Sequence, residues 1–173
     1  IATAGLDPST ATVITAAAKA ARFRAKPGKS LTLRGVPGHP AVVLVGVPAA
    51  DKPVEEALAD FGGAAVQALR DDNAPIAILA GGLPAGSAPY VAYGATLGQY
   101  RFDRLKSAAK APPMDRVTVV SADAEVASRA YAADLRHLAD ATRWARDLVT
   151  TPSNLKYPQS IAVLVEKELK GVP

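Results

Sequence analysis

Apolar positions along the chain predict strands that alternate with helices. Three short, mostly apolar runs lie at Ala41–Val47, Ile76–Ala80 and Arg116–Val120, and they are rich in β-branched residues. Runs of this kind are typical of strands that are covered on both faces. A shorter strand candidate, Leu31–Arg34, is closed by Gly35.

Between and after these runs, apolar residues recur at helical spacing. The segment from Val54 to Arg70 predicts an amphipathic helix, and a second helical pattern runs from Tyr90 to Arg104. A long helix is predicted over Ala124–Val149, and the alanine content of Thr15–Phe23 favours another. The predicted apolar seam of the long helix comprises Tyr131, Leu135, Leu138, Ala145 and Val149, with Leu148 beside it.

The last helix is predicted to begin at Pro158, because proline lacks only an N–H that the first turn does not need. Gly171 is a suitable stop. Its apolar stripe consists of Ile161, Leu164, Val165 and Leu169. This stripe must pack on its own domain or on another chain, or else the helix frays.

Two glycine pairs predict close packing. Gly62 and Gly63 interrupt a predicted helix at a cost of about 1 kcal/mol each relative to alanine, which a close approach to a sheet would explain. Gly94 and Gly98 lie four residues apart on one helix face, so that helix can lie close to its neighbour.

Alternating strands and helices indicate an α/β fold. We expect three layers, in which one mixed, mostly parallel sheet holds the three apolar runs and carries helices on both faces. Residues 1–150 form this domain, and residues 151–173 form a linker and the start of a further helix.

Composition narrows the function classes. The chain has 173 residues, a formal net charge of +4 and no cysteine, so disulfides and cysteine chemistry are excluded. No apolar run approaches the roughly 20 residues of a membrane helix. The chain begins at Ile1 rather than at a methionine, and we interpret it as a fragment of an intracellular protein. The densest group of basic residues is interpreted as a solvated helix face and turn rather than as a nucleic-acid site. It comprises Lys19, Arg22, Arg24, Lys26 and Lys29.

Isolated polar residues offer little chemistry. His39 lies in a predicted turn and His137 on the long helix, and neither has a partner at metal-ligand spacing, so both are interpreted as surface histidines. Asp71 and Asp72 could hold a hard cation, but a turn is favoured.

The Gly81–Gly86 loop follows a strand and precedes a helix, where a phosphate could bind; because it lacks the phosphate-loop signatures, a structural turn is favoured. Arg–Asp pairing at a helix end accounts for Arg101–Arg104. No catalytic, cofactor-binding or metal-ligating residue is therefore assigned.

Two segments nevertheless resemble a known family. The stretch "YGATLGQYRFDRLKS" from Tyr93 to Ser107 is similar to a glycine-rich helix and Tyr-x-Phe-Asp segment of the leucyl aminopeptidases. The stretch "RDLVTTPSNLKYPQSIA" from Arg146 to Ala162 resembles the interdomain signature of that family, except that Thr150 replaces the usual asparagine. The two segments occur in the family's order.

The resemblance implies the non-catalytic N-terminal domain of a leucyl aminopeptidase (cytosol aminopeptidase), with a fold similar to macro domains. The implied parent is a cytoplasmic homo-hexamer that releases N-terminal amino acids, preferably leucine, from peptide substrates. Two divalent metal ions, manganese or zinc, would lie in its C-terminal catalytic domain, whose metal motif this sequence lacks. The domain would serve assembly and substrate access.

Two alternatives stay open. One is a stand-alone macro-like module that binds ADP-ribose or another nucleotide at Gly81–Gly86. The other is a DNA-contacting domain, which a net charge of +4 permits but does not require.

Overall fold

The computed structural model describes residues 6–47, 54–72, 74–107 and 116–171. Strands and helices alternate over most of this range, which confirms the α/β class. The elements in chain order are α1 (Pro8–Ala20), β1 (Ser30–Val36), β2 (His39–Val45), α2 (Val54–Gln67), β3 (Ile76–Leu79), α3 (Ala88–Gly98), β4 (Val117–Val120), α4 (Ala124–Ala130), a π-helical segment (Tyr131–Leu135), α5 (Arg136–Thr150) and α6 (Pro158–Glu168).

The strands form two pairs. β1 and β2 are an antiparallel hairpin in which Val36 lies opposite His39, and the turn between them uses Gly38 at a φ of 76°. β3 and β4 are parallel, with Ile76 opposite Val117. The prediction that the three apolar runs share one sheet is wrong for the described residues, since no ladder there joins β2 to β3. An apolar run reports burial and does not identify the neighbouring strand.

The core lies between the parallel pair and helices α2 and α3. Val66 and Val91 are almost fully buried, and Ile78 packs with them from β3. The cluster of buried residues is Leu58, Ala65, Val66, Ile76, Ile78, Val91 and Ala95. The small side chains of this cluster require the helices and strands to lie close together.

Glycines provide that closeness where α2 crosses α3. A Cβ at Gly62 would lie 2.1 Å from the Val91 carbonyl oxygen, and one at Gly94 would lie 1.8 Å from the Ala59 oxygen. Gly94 therefore lets α3 approach its neighbour as predicted. The partner predicted for Gly62 was wrong, because the close approach is to a helix and not to a sheet.

The boundaries of α1 and α3 differ from prediction. α1 begins at Pro8, because the Asp7 carboxylate accepts the Thr10 N–H at 2.9 Å and caps the helix. It ends at Ala20, two residues before Arg22 adopts a φ of 50°, and so does not reach Phe23.

α3 ends at Gly98 and does not extend to Arg104. Side chains from two other helices satisfy its last carbonyls: Gln67 donates to Gly98 at 2.5 Å and Arg146 donates to Leu97 at 3.1 Å. The residues that follow Gly98 are free to turn back toward α5.

The predicted long helix is present but contains a π segment. Tyr131 and Leu135 are half-buried as expected, whereas Leu138 is 51% exposed and Val149 is 78% exposed. Because i→i+5 bonding accommodates an additional residue, the inward face continues through the fully buried Ala139. Beyond the π segment the predicted seam is wrong at Leu138, Ala145 and Val149, which are exposed, whereas Leu148, predicted beside it, is half-buried.

Candidate functional site

The end of α3 and the end of α5 meet at Asp147. One carboxylate oxygen of Asp147 accepts the Tyr100 hydroxyl at 3.0 Å, and the other pairs with Arg104 at 2.6 Å. Arg146 donates to the Leu97 carbonyl, and its guanidinium carbon lies 5.6 Å from the centre of the Tyr100 ring. The two segments that carry the family resemblance are thus in direct contact.

A cleft of about 240 Å³ lies beside this contact. The outer face of α5 forms one wall, and the segment that follows α3 forms the other. Its lining residues are Tyr100, Arg101, Asp140, Arg143, Trp144 and Asp147. The predicted Arg–Asp pairing at the end of α3 is confirmed, since Arg101 pairs with Asp103 at 3.5 Å.

Beyond the cleft, side chains close the C-terminal end of α5. The Lys156 ammonium donates to the carbonyls of Leu148 and Val149 at 3.0 and 3.1 Å. The Thr151 hydroxyl donates to the Asp147 carbonyl at 2.7 Å. A cation at a helix C-terminus is also favoured by the helix dipole. This turn therefore has a defined path although little apolar packing supports it.

Helix α6 begins at Pro158 as predicted, and the Tyr157 N–H donates to the Ser160 hydroxyl at 3.0 Å. None of its described residues is buried, and of the predicted stripe only Ile161 and Val165 are half-buried. Six apolar residues between Val149 and Leu169 are exposed, and we refer to this set as the C-terminal apolar surface: Val149, Leu155, Tyr157, Val163, Leu164 and Leu169. Such a concentration is typical of a surface that another protein part covers.

The carboxylate of Asp123 holds the Gly81–Gly86 loop through a hydrogen bond. The Gly86 N–H donates to Asp123 at 3.2 Å, and the Ser121 hydroxyl also donates to that carboxylate. Both donors hold the pKa of Asp123 below its usual range. A carboxylate bound to the loop amide opposes a phosphate there, so the structure favours the structural turn.

The remaining candidates lie on different elements. His39 was predicted in a turn but starts β2, because the hairpin turn is only two residues long; it and His137 are exposed. Asp72 lies in a turn and pairs with Arg34 at 2.9 Å, which lowers the pKa of its carboxyl. The five basic residues from Lys19 to Lys29 are exposed, on the end of α1 and the turn that follows.

Within residues 6–47, 54–72, 74–107 and 116–171, no three histidine or acidic side chains are grouped closely enough to hold a metal ion. Over the same ranges, none of the helices has both the length and the apolar character that crossing a membrane requires.

Residues 2–109 match the family described as "Cytosol aminopeptidase family, N-terminal domain". The chain belongs to this family. The match covers most of the α/β core described above and corresponds to the N-terminal domain of the leucyl aminopeptidases.

Curated relatives of the cytosol aminopeptidase family extend the similarity toward the C-terminal helix. A probable cytosol aminopeptidase of Caulobacter vibrioides is 34% identical over 146 residues, covering 82% of this chain and 29% of the relative. One from Rhodopseudomonas palustris (strain ATCC BAA-98 / CGA009) is 32% identical over 172 residues, covering 93% of this chain and 34% of the relative. The chain spans about a third of the length of such relatives.

Solved structures agree on the fold. The bottromycin maturation enzyme BotP, in complex with Mn, aligns with a TM-score of 0.68 at 28% identity, over 90% of this chain and 33% of that one. A mutant of tomato leucine aminopeptidase aligns with a TM-score of 0.78 at 24% identity, over 95% of this chain and 34% of that one, and shows the fold alone.

Sequence reasoning missed the residues that organise this region of the aminopeptidase domain. Asp147 lies within the quoted interdomain segment, but its partner Tyr100 is 47 residues away, and no local pattern reports that contact. Lys156 carries a local signal, because a lysine shortly after a helix end can reach the last carbonyls. Trp144, the single tryptophan of the chain, had no signal beyond its helical position.

Proposed function

We propose that this chain is the non-catalytic N-terminal domain of a cytoplasmic leucyl aminopeptidase. The parent enzyme would release N-terminal amino acids, preferably leucine, from peptides. The observation that carries the proposal is the family match over residues 2–109 in a chain that spans about a third of its curated relatives. For residues 1–150 we propose a fold similar to that of macro domains.

The chemistry of the parent would be metal-assisted hydrolysis. Two divalent ions, manganese or zinc, would supply the activated water and polarise the scissile carbonyl. The described residues do not fit such a centre, since they bring no three potential ligands together. We propose that both metals lie in the C-terminal catalytic domain of the parent.

The C-terminal apolar surface supports a role in assembly. Val163 is 63% exposed and Leu169 54% exposed on α6, while polar ties at Tyr157 and Lys156 fix the start of the helix and the turn before it. Apolar groups presented on an ordered helix suit docking of the catalytic domain. With residues 151–173 as the linker, the domain would help to build a homo-hexamer and to control access of peptides.

An activity assay tests whether this domain is non-catalytic. The purified chain is incubated with leucine p-nitroanilide and manganese or zinc, beside a full-length relative as positive control. We expect turnover only from the full-length enzyme. Metal-dependent activity that follows this chain through purification would contradict the proposal.

Hydrogen exchange tests the docking. In the isolated chain, amides of Ile161–Leu169 should exchange faster than those of Val42–Val45, because no described residue of α6 is buried. In the full-length parent, the α6 amides should gain at least tenfold protection. Equal exchange of α6 in the two proteins would exclude the C-terminal apolar surface as the docking site.

A further inference from the structure

The cleft between α5 and the segment after α3 is not used by the proposed function. On α5 its residues follow helical spacing, since Asp140, Arg143, Trp144 and Asp147 share one outward face. Tyr100 and Arg101 form the opposite wall. Two aromatic rings and two arginines therefore face a common space.

The charges of the cleft are unequally satisfied. Asp147 is compensated, because Tyr100 donates to one oxygen and Arg104 pairs with the other. In contrast, among the described residues Arg101 has one long ion pair, at 3.5 Å to Asp103, and Arg143 has one at 3.9 Å to Asp140. Each guanidinium carries five N–H donors in a planar fork, so most of these donors can serve a ligand. A carboxylate matches that fork with two parallel hydrogen bonds.

The position of Arg101 strengthens this preference. Its side chain is only 22% exposed, against 49% for Arg143. A guanidinium partly withdrawn from water attracts an anion more strongly than a fully solvated one does. The nearby carboxylate of Asp140 faces solvent and weakens the field, so the expected affinity is low.

The size of the cleft limits the ligand. Its volume of about 240 Å³ lies below the range of roughly 300–1,000 Å³ for sites that enclose whole small molecules. One amino-acid residue is a suitable occupant, whereas a nucleotide sugar such as ADP-ribose is too large. Trp144 and Tyr100 offer apolar walls, and tryptophan, tyrosine and arginine are the residues that dominate recognition surfaces.

We propose that this cleft binds the C-terminal residue of a peptide. The terminal carboxylate lies on Arg101 and Arg143, and the side chain of that residue packs against Trp144 and Tyr100. The proposal is independent of the aminopeptidase activity of the parent.

The test uses Trp144 as the reporter, because it is the single tryptophan. The chain is titrated with N-acetylphenylalanine while tryptophan fluorescence is followed, and a dissociation constant of roughly 1 mM is expected, corresponding to about −4 kcal/mol. N-acetylphenylalaninamide has the same ring without the carboxylate, and it should bind at least tenfold more weakly. Calorimetry provides a second readout that does not depend on the indole.

Variants locate the site. Arg101→Gln and Arg143→Gln should each weaken binding of N-acetylphenylalanine about tenfold. Arg129→Gln is the matched control, because Arg129 is exposed on α4, pairs with Glu125 at 3.3 Å and does not line the cleft. This variant should bind N-acetylphenylalanine as tightly as the unsubstituted chain does. Circular dichroism verifies that each variant is folded.

The proposal would be overturned by no binding at 20-fold the expected constant, by equal binding of the acid and the amide, or by equal weakening in Arg129→Gln. N-acetylglutamic acid α-amide carries a carboxylate on its side chain only. Its tighter binding than N-acetylphenylalanine would reject a terminal residue as the ligand, and weaker binding would support it.

Discussion

The α2–α3 core and the α5–α6 region are held together by different forces. In the core, Leu58, Val66 and Val91 are buried and glycines bring two helix backbones into contact. In the α5–α6 region, α6 has no buried residue among those described. Hydrogen bonds from Lys156 to the end of α5 and from the Tyr157 N–H to the Ser160 hydroxyl define the chain path. Packing stabilises the first region, whereas hydrogen bonds shape the second and leave many of its apolar side chains exposed.

This difference is informative about the role of each region in the aminopeptidase domain. A buried apolar side chain contributes to the free energy of unfolding of the isolated chain. An exposed one contributes little until a partner covers it. The same substitution should therefore have opposite readouts in the two regions, affecting stability in one and association in the other.

Matched leucine truncations give the largest expected contrast. Leu58 is 4% exposed and Leu164 is 40% exposed, and both lie on helices. Leu58→Ala should lower the free energy of unfolding by about 3 kcal/mol, through lost burial and a new cavity. Leu164→Ala should change it by less than about 0.5 kcal/mol. Urea unfolding of the isolated chain measures both.

The assignment of the two regions would be reversed by a large loss of stability in Leu164→Ala. In the full-length parent, Leu164→Ala should instead speed hydrogen exchange of α6, because a covered leucine would be lost from the domain interface. A parent enzyme that shows no such change would indicate that Leu164 is not part of the docking surface.

Substitutions at Gly62 and Gly63 test how the crossing of α2 and α3 is packed. An alanine Cβ at Gly62 would lie 2.1 Å from a backbone oxygen, so α2 and α3 must separate. At Gly63 the nearest atom of the neighbouring helix, the Gly94 oxygen, lies 3.4 Å away, which is ordinary contact. Gly62→Ala should destabilise the chain by about 1–3 kcal/mol. Gly63→Ala should be neutral or stabilise it by up to about 1 kcal/mol through helix propensity. Thermal and urea unfolding compare the pair, and similar losses in both would show that the crossing is not set by Gly62.

The polar ties are tested at Asp147. Asp147→Asn removes the ion pair with Arg104 while keeping a similar shape, and the partly exposed site should cost about 1 kcal/mol. Amides of Thr151 to Lys156 should exchange faster, since the end of α5 is loosened. Asp140→Asn is the control, because its pair with Arg143 is long at 3.9 Å. Identical exchange in the two variants would remove Asp147 from its organising role.

The same division explains what the sequence could predict. The apolar runs of β2, β3 and β4 were recognisable because burial leaves a compositional record. Their pairing was not, since β2 joins its hairpin neighbour β1 and a run of valines does not report which edge it pairs with. The π segment was also hidden: it shifts the helix face by its bonding pattern, and no glycine or proline marks it.

For the candidate site, the two motif segments were identified but not their contact. Tyr100 and Asp147 meet only because α3 and α5 are neighbours, so the fold must be known before the contact or the adjacent cleft can be inferred. Local chemistry was more accessible. Pro158 at a helix start and the turn at Asp72 follow from single residues, and both were predicted correctly.

The smallest expected effect concerns the Gly81–Gly86 loop, which a hydrogen bond from Gly86 to Asp123 holds next to the strands of the core. The Ser121 hydroxyl and the Gly86 N–H lower the pKa of Asp123 in the folded chain. A lowered pKa contributes stability above the unfolded value of about 3.9, and that contribution is lost as the pH falls through the folded pKa. The folded chain should therefore become easier to unfold with urea between about pH 5 and pH 2.

Because the asparagine of the Asp123→Asn variant cannot titrate, this variant should lose less stability than the unsubstituted chain as the pH falls through this window. The difference between the two proteins should be greatest near pH 7 and should shrink toward pH 2. Ser121→Ala removes the strongest donor and should give an intermediate profile, because Gly86 still donates. Asp7, Asp72 and Asp103 also have lowered pKa values, so some acid sensitivity should persist in every variant. Parallel pH profiles of the parent chain and Asp123→Asn would show that this carboxylate does not stabilise the loop.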